Sequence, residues 1–378
     1  MKRITISILL LALLILSLPI SSWAAPPENS ARSAVLMEVE SGRVLYEKNA
    51  HEKLPMASTT KIMTAILALE NSQLSDIVTV SPKASGIEGS SLYLEAGEKL
   101  TMEHLLYGLM LRSGNDAAHA IAEHIGETVE DFASMMNKKA VEIGAKNTHF
   151  VNPHGLHHED HYTTAYDLAL ISSYAMKNPT FREIVSTQYY RIPWEGQPWD
   201  RVIMNKNALL WNYEGANGIK TGYTKASRRC LASAALRNDM QLVAVVLDCQ
   251  PWFDDSAAIL DYGFSNYKMT KIFEKGEIVG QIPVKKGFEK TVDLMLMDDV
   301  SIPLAEGELE KIQISLKHPE FLKAPVTAGT RVGSLEIILE DTKISRDIYT
   351  ASNVKENTFP SNLKNIIRQW VANMFYFY

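Results

Sequence analysis

The chain reads as an α/β (α+β) domain, an antiparallel sheet with helices around it, followed by a small all-β domain and a terminal amphipathic helix. Three observations predict this. Strand-like runs open and close the stretch up to Tyr267 with mostly helical patterns between them, so the end strands can pair into one sheet with helices around it. Beyond Met269 the chain breaks into short strand-like runs punctuated by Gly, Pro and Asp. From Ser361 to Tyr378, apolar side chains recur at i, i+3, i+4 and i+7.

Each element follows from its residues in turn. In "SAVLMEVESGRVLYEKNA", Val, Leu and Tyr supply strand-forming side chains on either side of a turn at Glu40-Ser41-Gly42, which predicts an N-terminal hairpin. From Ser58 to Glu70, Ile62, Ala65, Ile66 and Leu69 recur at helical spacing while Met63 and Leu67 occupy the opposite face, the pattern of a helix buried all round. A helix from Glu103 to Arg112 carries Leu105, Leu106, Leu109 and Met110 on one side and runs into Ser113-Gly114-Asn115, where the glycine is expected to break it. Helices resume in "DAAHAIAEHIG" and "VEDFASMMNKKAVEIGA", give way to a polar loop holding "NPHGLHHEDHYTT", and return in "AYDLALISSYAMK".

From Gly218 the period changes to two. "GIKTGYT", "RCLASAAL" and "QLVAVVLDC" predict three consecutive strands, and "DSAAILDYGFSNY" an amphipathic helix. The β domain is expected from "EIVGQIPV", "TVDLMLM", "KIQISLK" and "RVGSLEIILE". In the tail, Leu363, Ile366, Ile367, Trp370, Val371, Met374, Phe375 and Tyr378 lie opposite Lys364, Asn365, Arg368, Gln369 and Asn373. A polar stripe this wide does not span a bilayer; aromatic residues with basic neighbours suit a helix lying in a membrane interface.

Composition narrows the class. A chain of 378 residues, 46% hydrophobic and 22% charged, is a soluble globular protein long enough for two ordinary domains. Its net charge of -6, with both signs interspersed, carries no sign of a nucleic-acid partner. Lys2 and Arg3, the apolar run from Ile4 to Leu18 and the small-residue exit Ser22-Trp23-Ala24 have the layout of a secretory signal peptide cleaved after Ala24, so the mature protein is expected outside the cytoplasm. The domain reading is therefore 1–24 signal peptide, 25–267 α/β domain, 268–353 small β domain, and 354–378 linker and amphipathic helix. Cys230 and Cys249 are the only cysteines. A tight turn at Asn238-Asp239 sets Arg237 opposite Met240 and Cys230 opposite Leu247 rather than Cys249, which predicts two buried free thiols.

The chemistry centres on "PMASTTKIMTA". Ser58 and Lys61 are three apart, one helical turn on one face. A serine hydroxyl is a poor nucleophile until a base takes its proton, and a lysine becomes that base once a buried, cation-flanked site lowers its pKa. Ser265-x-x-Lys268, Ser352-x-x-Lys355 and Ser361-x-x-Lys364 repeat the spacing, but only Ser58 opens a buried helix and precedes both a Ser113-x-Asn115 loop and a Lys220-Thr221-Gly222 strand. Gly114 lets the loop turn so that Ser113 and Asn115 can face a cleft, and Gly222 leaves room for a substrate to approach the strand backbone.

The three elements "STTK", "SGN" and "KTG", in that order, are the signature of penicillin-binding proteins and class A β-lactamases, with glycine replacing aspartate in the middle element. The chain resembles a low-molecular-weight penicillin-binding protein of the D-alanyl-D-alanine carboxypeptidase type over nearly its whole length. "LMLRSGNDAAHAIAEH", "FVNPHGL" and "GIKTGYT" look like that group's catalytic segments, and "DCQPWFDD" like its sporulation-associated subgroup.

The resemblance implies a penicillin-binding/β-lactamase-like fold and gives each residue a part. Ser58 attacks the D-alanyl-D-alanine carbonyl and forms an acyl-enzyme, Lys61 is the base, and Ser113 relays a proton to the leaving amine. Asn115 holds the peptide backbone, Lys220 supplies positive charge, and Thr221 helps bind the terminal carboxylate. The N–H groups of Ser58 and Tyr223 form the oxyanion hole. It implies no cofactor and no metal. The partners are a peptidoglycan stem peptide, β-lactams as inhibitors, and the outer face of the cytoplasmic membrane. Family members often carry an arginine beyond the Lys-Thr-Gly strand for the substrate carboxylate; "LDCQPWFDDSAA" has none, leaving Arg228, Arg229 or Lys206 as substitutes.

Two further patterns bear on the reading. His154, His157, His158 and His161 share a loop with Glu159 and Asp160 but follow no metal-ligand spacing; a solvated polar loop is expected, with His154 structural. A serine β-lactamase or a D,D-endopeptidase would use the same acyl-enzyme machinery. The glutamate that deacylates a penicilloyl-enzyme usually lies in a Glu-x-x-Leu-Asn loop, and none occurs between Asn115 and Lys220.

Overall fold

A computed structural model describes residues 25–194, 196–340 and 342–357, with 367, 368 and 371 of the tail. The signal peptide expected at 1–24 lies outside the described residues, and so does the tail helix but for those three positions. The first domain contains β1 (Ser33–Glu38), β2 (Val44–Lys48), β3 (Ile77–Thr79), β4 (Lys99–Thr101), β5 (Tyr189–Ile192), β6 (Arg201–Met204), β7 (Ala216–Thr224), β8 (Arg228–Arg237) and β9 (Met240–Leu247). Five of these form one antiparallel sheet in the order β2-β1-β9-β8-β7, so the strands from both ends of the domain do pair. The other four make two separate hairpins, β3 with β4 and β5 with β6.

Both faces of this sheet are covered, and the alternation in the strands shows how. Val35, Met37, Val243, Val245 and Leu247 point into a core shared with the Lys61–Asn71 and Ala165–Met176 helices. Ala34, Leu36, Leu242, Ala244 and Val246 point the other way, onto Ile259 and Leu260 of the Trp252–Asn266 helix. That helix packs so closely that a Cβ on Gly263 would lie 2.6 Å from Leu36 Cδ2. The register runs from Arg237↔Met240 to Leu231↔Val246, across a turn in which Asn238 and Asp239 take φ of 49° and 62°. Cys230 and Cys249 are both free and buried, as the register predicts.

One helix departs from expectation. Met102–Tyr107 is α-helical, but Gly108–Arg112 widens into a π-turn, and the element ends on Ser113 in the left-handed region (φ 69°). Gly114 has an ordinary φ of −58°, so the serine makes the bend. The glycine makes room instead: a Cβ on it would lie 2.7 Å from Asp116 Oδ1 and 3.1 Å from Leu92 Cγ.

In the second domain β10 (Lys268–Phe273) pairs with β13 (Val300–Leu304). The remaining strands are β11 (Ile278–Lys285), β12 (Thr291–Leu296), β14 (Gln313–Lys317), β15 (Leu322–Lys323), β16 (Arg331–Leu339) and β17 (Thr342–Thr350), ordered β14-β16-β17-β12-β11-β15. Its two outermost strands are joined by only residues 318–321, so the sheet must curl on itself around Ile282, Leu294, Leu335, Ile337 and Ile348. Arg43 locks the two domains together: its guanidinium donates to Glu308 Oε1 at 2.7 Å and Oε2 at 2.8 Å, bonds Pro303 O, and lies over the Tyr267 ring. Both charges are buried.

Candidate active site

The site begins with a turn, not a helix. Ala57–Thr60 is a single 3-10 turn and the α-helix starts at Lys61, so Ser58 precedes the helix it was expected to open. A 3-10 turn has three residues per turn, which still stacks residue 58 under residue 61. Ala57 is held at φ 48°, a conformation that costs a non-glycine residue roughly 1–2 kcal/mol. Its neighbours hold it there: Thr59 Oγ1 donates to Met56 O at 2.7 Å, and Thr60 Oγ1 donates to Ala57 O at 2.8 Å. Ser58 itself stays half-buried, within reach of a ligand.

Lys61 is completely buried. Its Nζ lies 2.7 Å from Asn115 Oδ1, 2.6 Å from the His154 carbonyl and 3.1 Å from Ser58 Oγ. The first two partners only accept, so they take two N–H bonds, and in the neutral amine the lone pair is left for the Ser58 hydroxyl. Burial is the main cause holding the Lys61 pKa well below its ordinary value, followed by the charges of Lys220 and Lys206; Asp116 opposes them.

The Ser113–Asn115 loop is tied down from two sides. Asn115 gives its Oδ1 to Lys61 and donates Nδ2 to Glu88 O at 2.6 Å. Its amide is thus held at both ends, with one Nδ2 hydrogen left over. Asp116, buried, accepts from Leu92 N, Leu94 N and Ser91 Oγ, fastening residues 91–94 against the loop. Ser113 is buried, and among the described residues its hydroxyl makes no hydrogen bond.

β7 is the sheet edge beside the serine turn. Lys220 is buried, donates to Thr221 O at 2.9 Å, and has its pKa pulled down to about 7 by burial and then by Lys206. Thr221 is also buried, whereas Tyr223 is exposed. Gly222 has a different use from the one expected. A Cβ there would lie 3.0 Å from Ser58 N and 3.1 Å from Met56 O, so the missing side chain lets the strand and the serine turn touch.

The histidine loop is not simply solvated. His154 and His161 are buried while His157 and His158 are exposed, and among the described residues no group of three or more metal-ligating side chains is placed to hold a metal. His161 Nε2 meets Thr60 Oγ1 at 2.7 Å, and its Nδ1 accepts from Val151 N at 3.1 Å. Gly155 (φ 90°) lies against the same turn, where a Cβ would fall 1.9 Å from Ala57 O. Sequence reasoning missed this support; the only signal was a glycine between His154 and Leu156. Of the three cationic substitutes, Lys206 bonds Ser90 Oγ at 3.0 Å beside Asn115, and its charge acts on both Lys61 and Lys220. Arg229 instead bonds Gln250 O and lies over Trp252.

The segments far apart in sequence therefore meet at one place, with a deprotonable lysine against a half-buried serine. Comparison with known proteins agrees. Residues 21–251 match the family model described as D-alanyl-D-alanine carboxypeptidase, and residues 267–356 match that of the penicillin-binding protein 5 C-terminal domain. D-alanyl-D-alanine carboxypeptidase DacF of Bacillus subtilis is 34% identical over 98% of this chain and 99% of its own. Penicillin-binding protein 5 of Haemophilus influenzae superposes with a TM-score of 0.74 at 28% identity, covering 88% of this chain and all (100%) of that one. Penicillin-binding protein 3 of Streptococcus pneumoniae does so with 0.75 at 26% identity, covering 87% and 100%. The chain belongs to the D-alanyl-D-alanine carboxypeptidase family, with a penicillin-binding protein 5 C-terminal domain after the catalytic one.

Proposed function

We propose that the protein is a serine-type D-alanyl-D-alanine carboxypeptidase that removes the terminal D-alanine of peptidoglycan stem pentapeptides and is acylated by β-lactams at the same serine. The observation that carries this is the Lys61 environment: two acceptors occupy its N–H bonds, and its remaining valence faces Ser58 Oγ at 3.1 Å. Neutral Lys61 takes the hydroxyl proton as Ser58 Oγ bonds the penultimate D-alanine carbonyl carbon. The tetrahedral oxyanion collects in front of the N–H groups of Ser58 and Tyr223, whose donors in such enzymes are worth about 3–4 kcal/mol each. Collapse breaks the C–N bond, and the proton reaches the leaving amine from Lys61 by way of Ser113. Water then attacks the acyl-enzyme, with Lys61 again the base, and Ser58 leaves with its proton restored.

We assign the terminal carboxylate to Lys206, whose charge acts on Lys220, together with Lys220 and Thr221. The signal segment puts this chemistry outside the cytoplasm, and the amphipathic tail holds the protein at the membrane surface. Ser58→Ala tests the nucleophile: it should abolish both covalent labelling by a fluorescent penicillin and D-alanine release from a peptide ending in D-alanyl-D-alanine. Surviving label would place the nucleophile elsewhere.

A further inference from the structure

Five lysines with no part in the active site gather at one end of the β domain, where the chain leaves it. Backbone bonds tie their three segments together: Ala324 N donates to Lys285 O at 2.9 Å, Phe288 N to Lys355 O at 3.0 Å, and Asn357 N to Lys286 O at 2.7 Å. β11 and β15 run parallel there, with Lys285 beside Lys323. Lys285, Lys286, Lys290, Lys323 and Lys355 are all exposed, as are the rings of Phe288 and Phe321. The Lys285 ammonium lies 3.2 Å from the Phe321 ring centroid.

This end concentrates the domain's unpaired lysines. Elsewhere in the domain Lys271, Lys311, Lys317 and Lys343 each reach a carboxylate, and among the described residues only Lys268 and Lys275 do not. Among the described residues none of the five does, although Glu289, Glu320 and Glu356 are interspersed with them. Cations are therefore in excess and free, beside aromatic side chains, in a protein whose net charge is -6. Headgroups of net negative charge attract such lysines at about 1 kcal/mol each, and aromatic rings favour the boundary between headgroup and acyl chain. The chain continues from Asn357 into the amphipathic stretch at 361–378.

We propose that this lysine–aromatic end of the β domain rests on an anionic lipid surface. It is a second contact that fixes how the domain stands on the membrane, and it rests on the reading of the tail as a membrane helix. The test uses the full mature chain with vesicles of phosphatidylcholine alone or mixed with phosphatidylglycerol. Lys285→Gln/Lys286→Gln/Lys323→Gln should bind the anionic vesicles roughly a hundredfold more weakly than the parent, at about fivefold per lysine, and bind neutral vesicles equally. Unchanged penicillin labelling of the triple variant shows that it is folded. Equal binding to anionic vesicles would overturn the proposal, as would a loss seen only with isolated wall polymer. Deleting 361–378 is the separate arm: undiminished vesicle binding refutes the tail reading alone, whereas an ineffective lysine variant refutes the patch whatever the tail does.

Discussion

His161 Nε2 and Thr60 Oγ1 are 2.7 Å apart, and the Thr60 hydroxyl passes the connection on to the Ala57 carbonyl, one residue before the nucleophile. Because Val151 N donates to Nδ1, the ring proton sits on Nε2 and the imidazole is neutral. His161→Leu leaves Val151 N and Thr60 Oγ1 without their histidine partner and should cost about 2–6 kcal/mol, from roughly 1–3 for each buried group. His161→Gln keeps a donor toward Thr60 and should recover most of the penicillin acylation rate that leucine loses. A glutamine variant no better than leucine would separate this hydrogen bond from the function of the turn.

Acid should weaken the fold through the same loop. Burial first, then neighbouring cationic groups, pulls both His154 and His161 down to about 3. In the unfolded chain a histidine titrates near 6.5, so between roughly pH 6.5 and 3 the unfolded state holds the extra proton. Stability is complete above that window and falls as pH drops through it, by about 1.4 kcal/mol per unit for each histidine. Urea unfolding at pH 7, 6 and 5 should show this slope, and His161→Gln should remove about half of the histidine part.

The rate of acylation should be bell-shaped in pH. Lys61 must be neutral to accept the serine proton, and its depressed pKa sets the acid limb. Lys220 must be charged, so its pKa of about 7 sets the alkaline limb. Lys220→Met removes a positive neighbour; Lys61 then holds its proton more tightly, and the acid limb should move to higher pH. Lys61→Arg puts a permanent charge where the neutral amine acts and cannot deprotonate, and should slow acylation by roughly a thousandfold. Stopped-flow labelling with a chromogenic cephalosporin across the pH range measures both.

Two glycines should fail for different reasons. Gly155→Ala puts a Cβ 1.9 Å from Ala57 O at φ 90°, displacing the serine turn, and should cost about 3 kcal/mol with loss of labelling. Gly222→Ala meets Ser58 N at 3.0 Å and Ala57 Cβ and Met56 O at 3.1 Å, milder contacts than at Gly155; it should lower the melting temperature less than Gly155→Ala while slowing acylation.

Arg43 and Glu308 form the buried clamp between domains. Glu308→Ala leaves the Arg43 guanidinium unpaired and should destabilise the protein by about 3–5 kcal/mol, read as separation of the two domain transitions in calorimetry. The two charges removed together should cost less than either alone.

Periodicity alone carried the sheet, the buried helix and the β domain, because burial on one or both faces of an element is written directly into the order of its side chains. The cysteine register was legible for the same reason, since a two-residue turn leaves one pairing. The order of three short motifs singled out Ser58, Lys61, Asn115 and Lys220 as candidates, and the fold brings Lys61 against both Ser58 and Asn115. That order did not reveal that Ser58 sits on a 3-10 turn or that Ser113 takes the left-handed bend, because such choices depend on what packs against the turn. Contacts between segments a hundred residues apart, His161 with Thr60 and Gly155 with Ala57, leave no pattern within either segment. Arg43 and Glu308 lie further apart still. The residue types were determined by the sequence; which atoms meet was decided only when distant surfaces closed on each other and excluded water.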